Sequence, residues 1–314
     1  MLRAQCHEQP RMSWLAFALC GPVLWAVSTH LDKYLVERYF KDTNVVILLV
    51  FTALMGLVLM PVIAGFEPRV FTRPASEIVL MMLSGVLYMG ALAFYLNALQ
   101  GHDASVVAPF FQSSPLFGYG LAYLVLGETL NATQLTGGAL IVLGVLFVSV
   151  GFGGARRERV RWRLAALMLA CGFVMSLSTL IFKVFAIEDE FWATTFWMFA
   201  GEALFGFGFL CIGRYRAQFR EVLRANGGAL LAINASNELV NLGGGLANRY
   251  ALIFAPLSIV QAIGSTTTLF VFAIGVLLTL FFPSVSRESL AGRELVQKGI
   301  AALLVAAGVV LVSR

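Results

Sequence analysis

Charge is scarce in this chain: 12% of its 314 residues are Asp, Glu, Lys or Arg, against 59% that are hydrophobic. A soluble domain covers its surface with about twice that share of charge, so a soluble fold is excluded. Cysteine is sparse too, and Cys6, Cys20, Cys171 and Cys211 form no CxxC or metal-binding spacing. Three of them fall within apolar runs and read as small core residues. No P-loop, HExxH, GxSxG or dinucleotide-binding glycine pattern occurs. Nucleotide-driven and hydrolytic chemistry therefore have no foothold, and the chain reads as a non-enzyme without a cofactor. The net charge of +5 comes from Lys and Arg gathered in the connections. That pattern orients a membrane protein and argues against nucleic acid as a partner.

What the chain has in abundance is long apolar sequence. Ten predominantly apolar runs begin near Ser13, Asn44, Ile78, Ser105, Gln134, Leu164, Phe191, Gly227, Pro256 and Gln297. Each is long enough for a membrane helix, and the mean hydropathy of +0.85 fits a chain lodged in a lipid bilayer. A transmembrane barrel would alternate apolar and polar residues over short segments, which these runs do not. The first run, Trp14 to Ser28, precedes no small-residue cleavage motif and leads into another span, so it reads as retained. The fold class expected is an all-α polytopic membrane protein with ten transmembrane helices.

One run is unlike the rest. Gly227 to Tyr250 carries Asn234, Asn237, Glu238 and Asn241 at helical spacing, with Asn248 two turns further on. Glu238 falls near the middle, where a carboxylate facing lipid is costly, so it must face protein or water. A polar cluster that only glues helices together is the plainer reading. A solute or ion pathway accounts better for four adjacent polar positions that include a charge. Glu202, a lone charge among Gly201, Gly206 and Gly208, reads instead as a structural residue bonded to a neighbouring helix.

Internal repetition organises the remainder. Ser28 to Lys33 is echoed by Ser178 to Lys183, and Ala98-Leu99, Ser105, Val107 and Leu116-Phe117 match Ala251-Leu252, Ser258, Val260 and Leu269-Phe270 at a constant offset of 153. Five helices per copy make the second copy enter from the opposite face, giving two inverted five-helix repeats with a substrate site near the midplane. The copies are placed at residues 13–152 and 164–314, joined by a basic linker at 153–163. Lys33 and Lys183 are repeat-related and read equally as pathway residues or as lysines snorkelling to the membrane boundary. Ser84 and Tyr88 line the uncharged counterpart of the Glu238 helix, and Gln112 and Gln261 lie in the corresponding fourth and ninth runs.

These residues resemble a known family. Asn97-Ala98-Leu99, Pro115, Gly127-Glu128, Gln134, Gly137 and Gly144 look like the closing signature of an EamA-like repeat in the drug/metabolite transporter superfamily. In the second copy Thr268 stands in place of the proline, no Glu follows Phe281-Phe282-Pro283, and Gly299 to Gly308 is spaced more widely. The resemblance implies ten helices and a small-metabolite permease. Glu128, at a helix end, reads as a capping carboxylate.

The function expected is a secondary transporter of a small polar or zwitterionic metabolite. The substrate site expected comprises Glu238, Asn234, Asn237, Asn241, Tyr88, Gln112, Gln261, Ser84, Lys33 and Lys183, with Glu238 as the coupling residue. Desolvation favours its neutral acid while amide donors favour its carboxylate, and a balance between them would tie proton release to solute binding. A flippase using Lys33 and Lys183 and a non-transporting partner protein are the alternatives. The chain is placed in the cytoplasmic membrane with both termini on one side. Charge counting puts six Lys and Arg, Arg249 among them, on the terminal side and fourteen on the other.

Overall fold

The computed structural model describes residues 12–39, 46–101, 114–149, 162–186, 191–264, 266–281 and 292–312. Among these there are eleven α-helices and no strand. They are α1 (Met12–Tyr39), α2 (Val46–Phe66), α3 (Ala75–Gly101), α4 (Ser114–Leu126), α5 (Ala132–Ser149) and α6 (Trp162–Ala186). There follow α7 (Phe191–Cys211), α8 (Gly213–Phe254), α9 (Leu257–Gly264), α10 (Thr267–Phe281) and α11 (Gly292–Val312), and a short 3-10 turn, Pro68–Thr72, follows α2.

Six stretches are long and apolar enough to cross a membrane: Trp14–Asp32, Val46–Phe66, Ala75–Ala98, Ala166–Ala186, Phe191–Cys211 and Leu257–Phe281. Shorter apolar helices cover Phe117–Leu126, Ala132–Gly144 and Gly299–Leu311. The surface carries the apolar residues that a soluble protein would hide: Leu124, Leu303 and Phe281 are 78%, 73% and 71% exposed. Such an exterior is at rest against acyl chains. Cys20 and Cys211 belong to that outer surface, so of the cysteines read from sequence as core residues only Cys171 is buried among the described residues.

The apolar runs mark most helices, but α8 is longer than its run suggests. Its 42 residues span about 63 Å, twice a hydrocarbon core, and begin at Gly213 instead of near Gly227. The added turns hold Arg214, Arg216, Arg220 and Arg224, which are helical and not part of a loop, because Tyr215, Phe219 and Val222 anchor that stretch on Leu35 and Phe51. At the other end Ala251-Leu252-Ile253-Phe254 prolongs the helix, and it stops before Pro256, whose ring cannot continue it. Arg249, counted from sequence with a connection, is therefore inside a helix and buried.

Helix crossings without a side chain between them fix the interior. At α3 and α7 the backbones touch: a Cβ on Gly201 would collide with the Met82 carbonyl, and one on Gly85 with the Met198 carbonyl. Gly56 of α2 meets the Phe199 ring of α7, where a Cβ would come within 2.9 Å. Gly21 of α1 and the Gly244 carbonyl of α8 approach similarly, at 3.2 Å from a Cβ. Packing of this kind drives membrane helices together where no hydrophobic effect operates between them. Its result is that α1, α2, α3 and α7 enclose the polar face of α8.

Candidate functional site

The polar stripe of α8 is two rows. Glu238 and Arg249 are eleven residues apart, about three turns, and so lie on one row; Asn237 and Asn248, eleven apart as well, lie on another about 100° round. The second row faces α1, where Asn237 Nδ2 donates to Asp32 Oδ1 at 2.6 Å and Asn248 abuts Gly21. The first row faces a cavity lined by Thr52, Tyr88, Glu202, Glu238, Asn241, Gly245 and Arg249. Its volume of about 20 Å³ is room for about one water.

At one end of the cavity Thr52 Oγ1 donates to Glu238 Oε1 at 2.5 Å, and Asn241 bonds the same carboxyl from the next turn. At the other end Arg249 Nη2 donates to Glu202 Oε1 at 3.1 Å. The guanidinium lies 5.2, 5.6 and 5.8 Å from the rings of Phe199, Phe182 and Tyr88, a cation–π enclosure that shields it from lipid. Arg249 Nη1 has no partner, and neither do the buried carbonyl oxygens of Asn234 and Asn237. Buried donors and acceptors are rarely left so in a structural cluster.

Of the residues expected from sequence, Glu238, Asn241 and Tyr88 line the cavity. Asn237 joins it to α1 through Asp32, and Asn234 is buried one turn before Glu238. Ser84 is buried on α3 with its hydroxyl on the Met81 carbonyl, while its own carbonyl accepts from Ser178 at 2.7 Å. Gln261 sits between Gly118 and Ser176, away from that cavity wall. Gln112 and the side chain of Lys33 lie outside the described residues. Glu202 is bonded to a neighbouring helix, as its lone position suggested, and its partner is the cavity-lining Arg249.

Lys183 occupies a separate cluster. Its Nζ is 2.5 Å from Glu128 Oε1 and donates to the Ala255 carbonyl at 2.8 Å. Glu128 Oε2 in turn accepts the Leu257 N–H at 3.0 Å, so the carboxylate caps α9 from another part of the chain. Asp32, Thr52 and Arg249 had no mark of their own in the sequence. Arg249 alone had a usable signal, being on the Glu238 row seven residues before a helix-ending proline.

Residues 12–150 match the EamA-like transporter family, which belongs to the drug/metabolite transporter superfamily. This EamA-like segment supplies Thr52 and Tyr88, whereas Glu202, Glu238 and Arg249 come from the sequence after it. No curated protein matches the chain. A solved structure described only as the crystal structure of a protein superposes with a TM-score of 0.67 at 14% identity, covering 96% of this chain and 96% of the other. The likeness shows that the fold continues beyond the EamA-like segment through nearly the whole chain. The match over residues 12–150 and the apolar helices indicate an integral membrane protein.

Proposed function

We propose that the chain is a secondary transporter that moves a small polar or zwitterionic metabolite across the cytoplasmic membrane by alternating access. The observation that carries this reading is the small cavity, walled by four helices, whose α8 side carries a carboxylate, an amide and an arginine with an unpaired donor. An adhesive polar cluster has no use for unpaired buried charge capacity, whereas a solute replaces those missing bonds on binding.

We read the helices as a ten-helix inverted repeat, which fits the same function. Exchanging the copies turns the α1–α8 contact into the α6–α3 contact and the α4–α6 contact into that of α9 and α10 with α1, and all four contacts occur. The starts of α4 at Ser114 and α10 at Thr267 differ by 153, the offset of the sequence repeat. Rocking one copy against the other around the fixed Glu238 row would expose it to each side in turn. Proton coupling fits Glu238, which has Asp32 and Glu202 as its acidic neighbours and Thr52 as its hydrogen-bond donor.

A flippase would use Lys183 for an anionic headgroup. That lysine is already bonded to Glu128 and Ala255, which favours a water-soluble cargo. Vesicles containing only the purified protein test the reading. Solute accumulation driven by an imposed ion gradient is expected, and flux that requires ATP hydrolysis would rule the secondary mechanism out.

A further inference from the structure

The α8 row places its two charges at opposite ends of one slot. Resting on the transport reading above, we propose that the slot takes a zwitterion whose amine and carboxylate are several bonds apart, an ω-amino carboxylate in class, with the amine at Glu238 and the carboxylate at Arg249. Arg249 lines the cavity, its Nη2 serves Glu202, and its Nη1 is buried and unpartnered. A guanidinium presents its donors as a fork, so a second carboxylate can be held there without displacing the first. At the other pole, Glu238 and the Asn241 amide supply acceptors for an ammonium group.

The spacing selects among zwitterions. Eleven residues separate the two Cα atoms by about 16 Å along the helix. Both side chains lean toward the helix N-terminus, so the greater reach of the arginine narrows that gap without closing it. An α-amino acid, with both groups on one carbon, reaches one pole only. Between the poles the wall is apolar and small: Gly56, Met55 and Leu242 with Gly245, where an added Cβ would meet nothing within 4 Å. A methylene chain suits that middle section. Since the slot holds about one water as it stands, α8 must draw away from α2 and α7 to admit the ligand.

Thermal shift of the purified full chain tests this with five probes: glycine, 4-aminobutanoate, 6-aminohexanoate, butylamine and butanoate. The two ω-amino acids are expected to raise Tm at concentrations where the other three do not. Gly245→Ala should keep the unliganded Tm close to the parent's and weaken that response. The double variant Glu202→Gln with Arg249→Gln removes both charges together and should weaken ω-amino acid binding about ten- to hundredfold. Glycine acting as strongly as 6-aminohexanoate would overturn the inference, as would a full response in Gly245→Ala or no response to any probe. The transport reading is judged separately, by gradient-driven flux of other solutes in vesicles.

Discussion

Among the described residues two ion pairs join helices of the bundle, Lys183–Glu128 and Arg249–Glu202, and they are finished to different degrees. In the Lys183–Glu128 pair each polar group is used: the ammonium bonds a carboxylate oxygen and the Ala255 carbonyl, and the second carboxylate oxygen takes the Leu257 N–H. In the Arg249–Glu202 pair one oxygen meets one nitrogen, and Nη1 of this cavity-lining arginine is left without a partner. Complete pairing suits a joint between helices, and in the proposed reading the incomplete pairing leaves a donor for a solute. The same elements of chemistry, one cation and one carboxylate, thus form a rivet near the end of α6 and, in the proposed reading, a receptor on α8.

The largest effect is expected at the rivet. Lys183→Met leaves Glu128 partly buried without its cation, and such single truncations remove about 3–5 kcal/mol. A large loss of Tm with whatever protein survives still responding to solute would sharpen the contrast; a stable variant that has lost only its solute response would break it. Arg249→Gln alone strands Glu202 and is expected to destabilise by a similar amount, whereas adding Glu202→Gln should restore most of the lost Tm. Failure of that rescue would place Arg249 with Lys183 as a structural residue. Smaller again is Ser178→Ala, which removes a donor to the Ser84 carbonyl and should lower stability by about 1 kcal/mol with no change in solute affinity. The smallest effect on stability belongs to Gly245→Ala, within about 1 kcal/mol of the parent because the new Cβ meets no atom and alanine favours helix. Solute affinity, measured on the same sample, should nonetheless fall.

How much of this was legible in the sequence depends on whether a feature is local. Long apolar runs and the spacing of Asn234, Asn237, Glu238 and Asn241 are properties of one helix, and they led directly to the helical membrane fold and to one wall of the cavity. Partners across helices are not encoded in spacing, so Asp32 and Thr52 carried no sign that they would meet α8. Arg249 was misplaced for a physical reason: hydropathy falls where charge appears, and a run that ends on an arginine looks like a helix that has left the membrane. Aromatic rings of Tyr88, Phe182 and Phe199 keep it inside instead. The two repeat-related lysines illustrate the same limit. Lys183 could be read as buried or snorkelling, and only the three-dimensional position of Glu128 shows why it is buried.

The central claim is that Glu238 is the residue through which solute movement is driven, and Glu238→Gln in proteoliposomes tests it most directly. The amide keeps the size of the acid and can still accept the Thr52 bond, so the protein should fold. With an imposed proton gradient, the wild-type protein is expected to accumulate solute with a pH-dependent rate. The variant is expected to lose accumulation and pH dependence while retaining solute exchange. Uphill accumulation by Glu238→Gln with an unchanged pH profile would contradict the account and return the α8 polar rows to the role of helix adhesive.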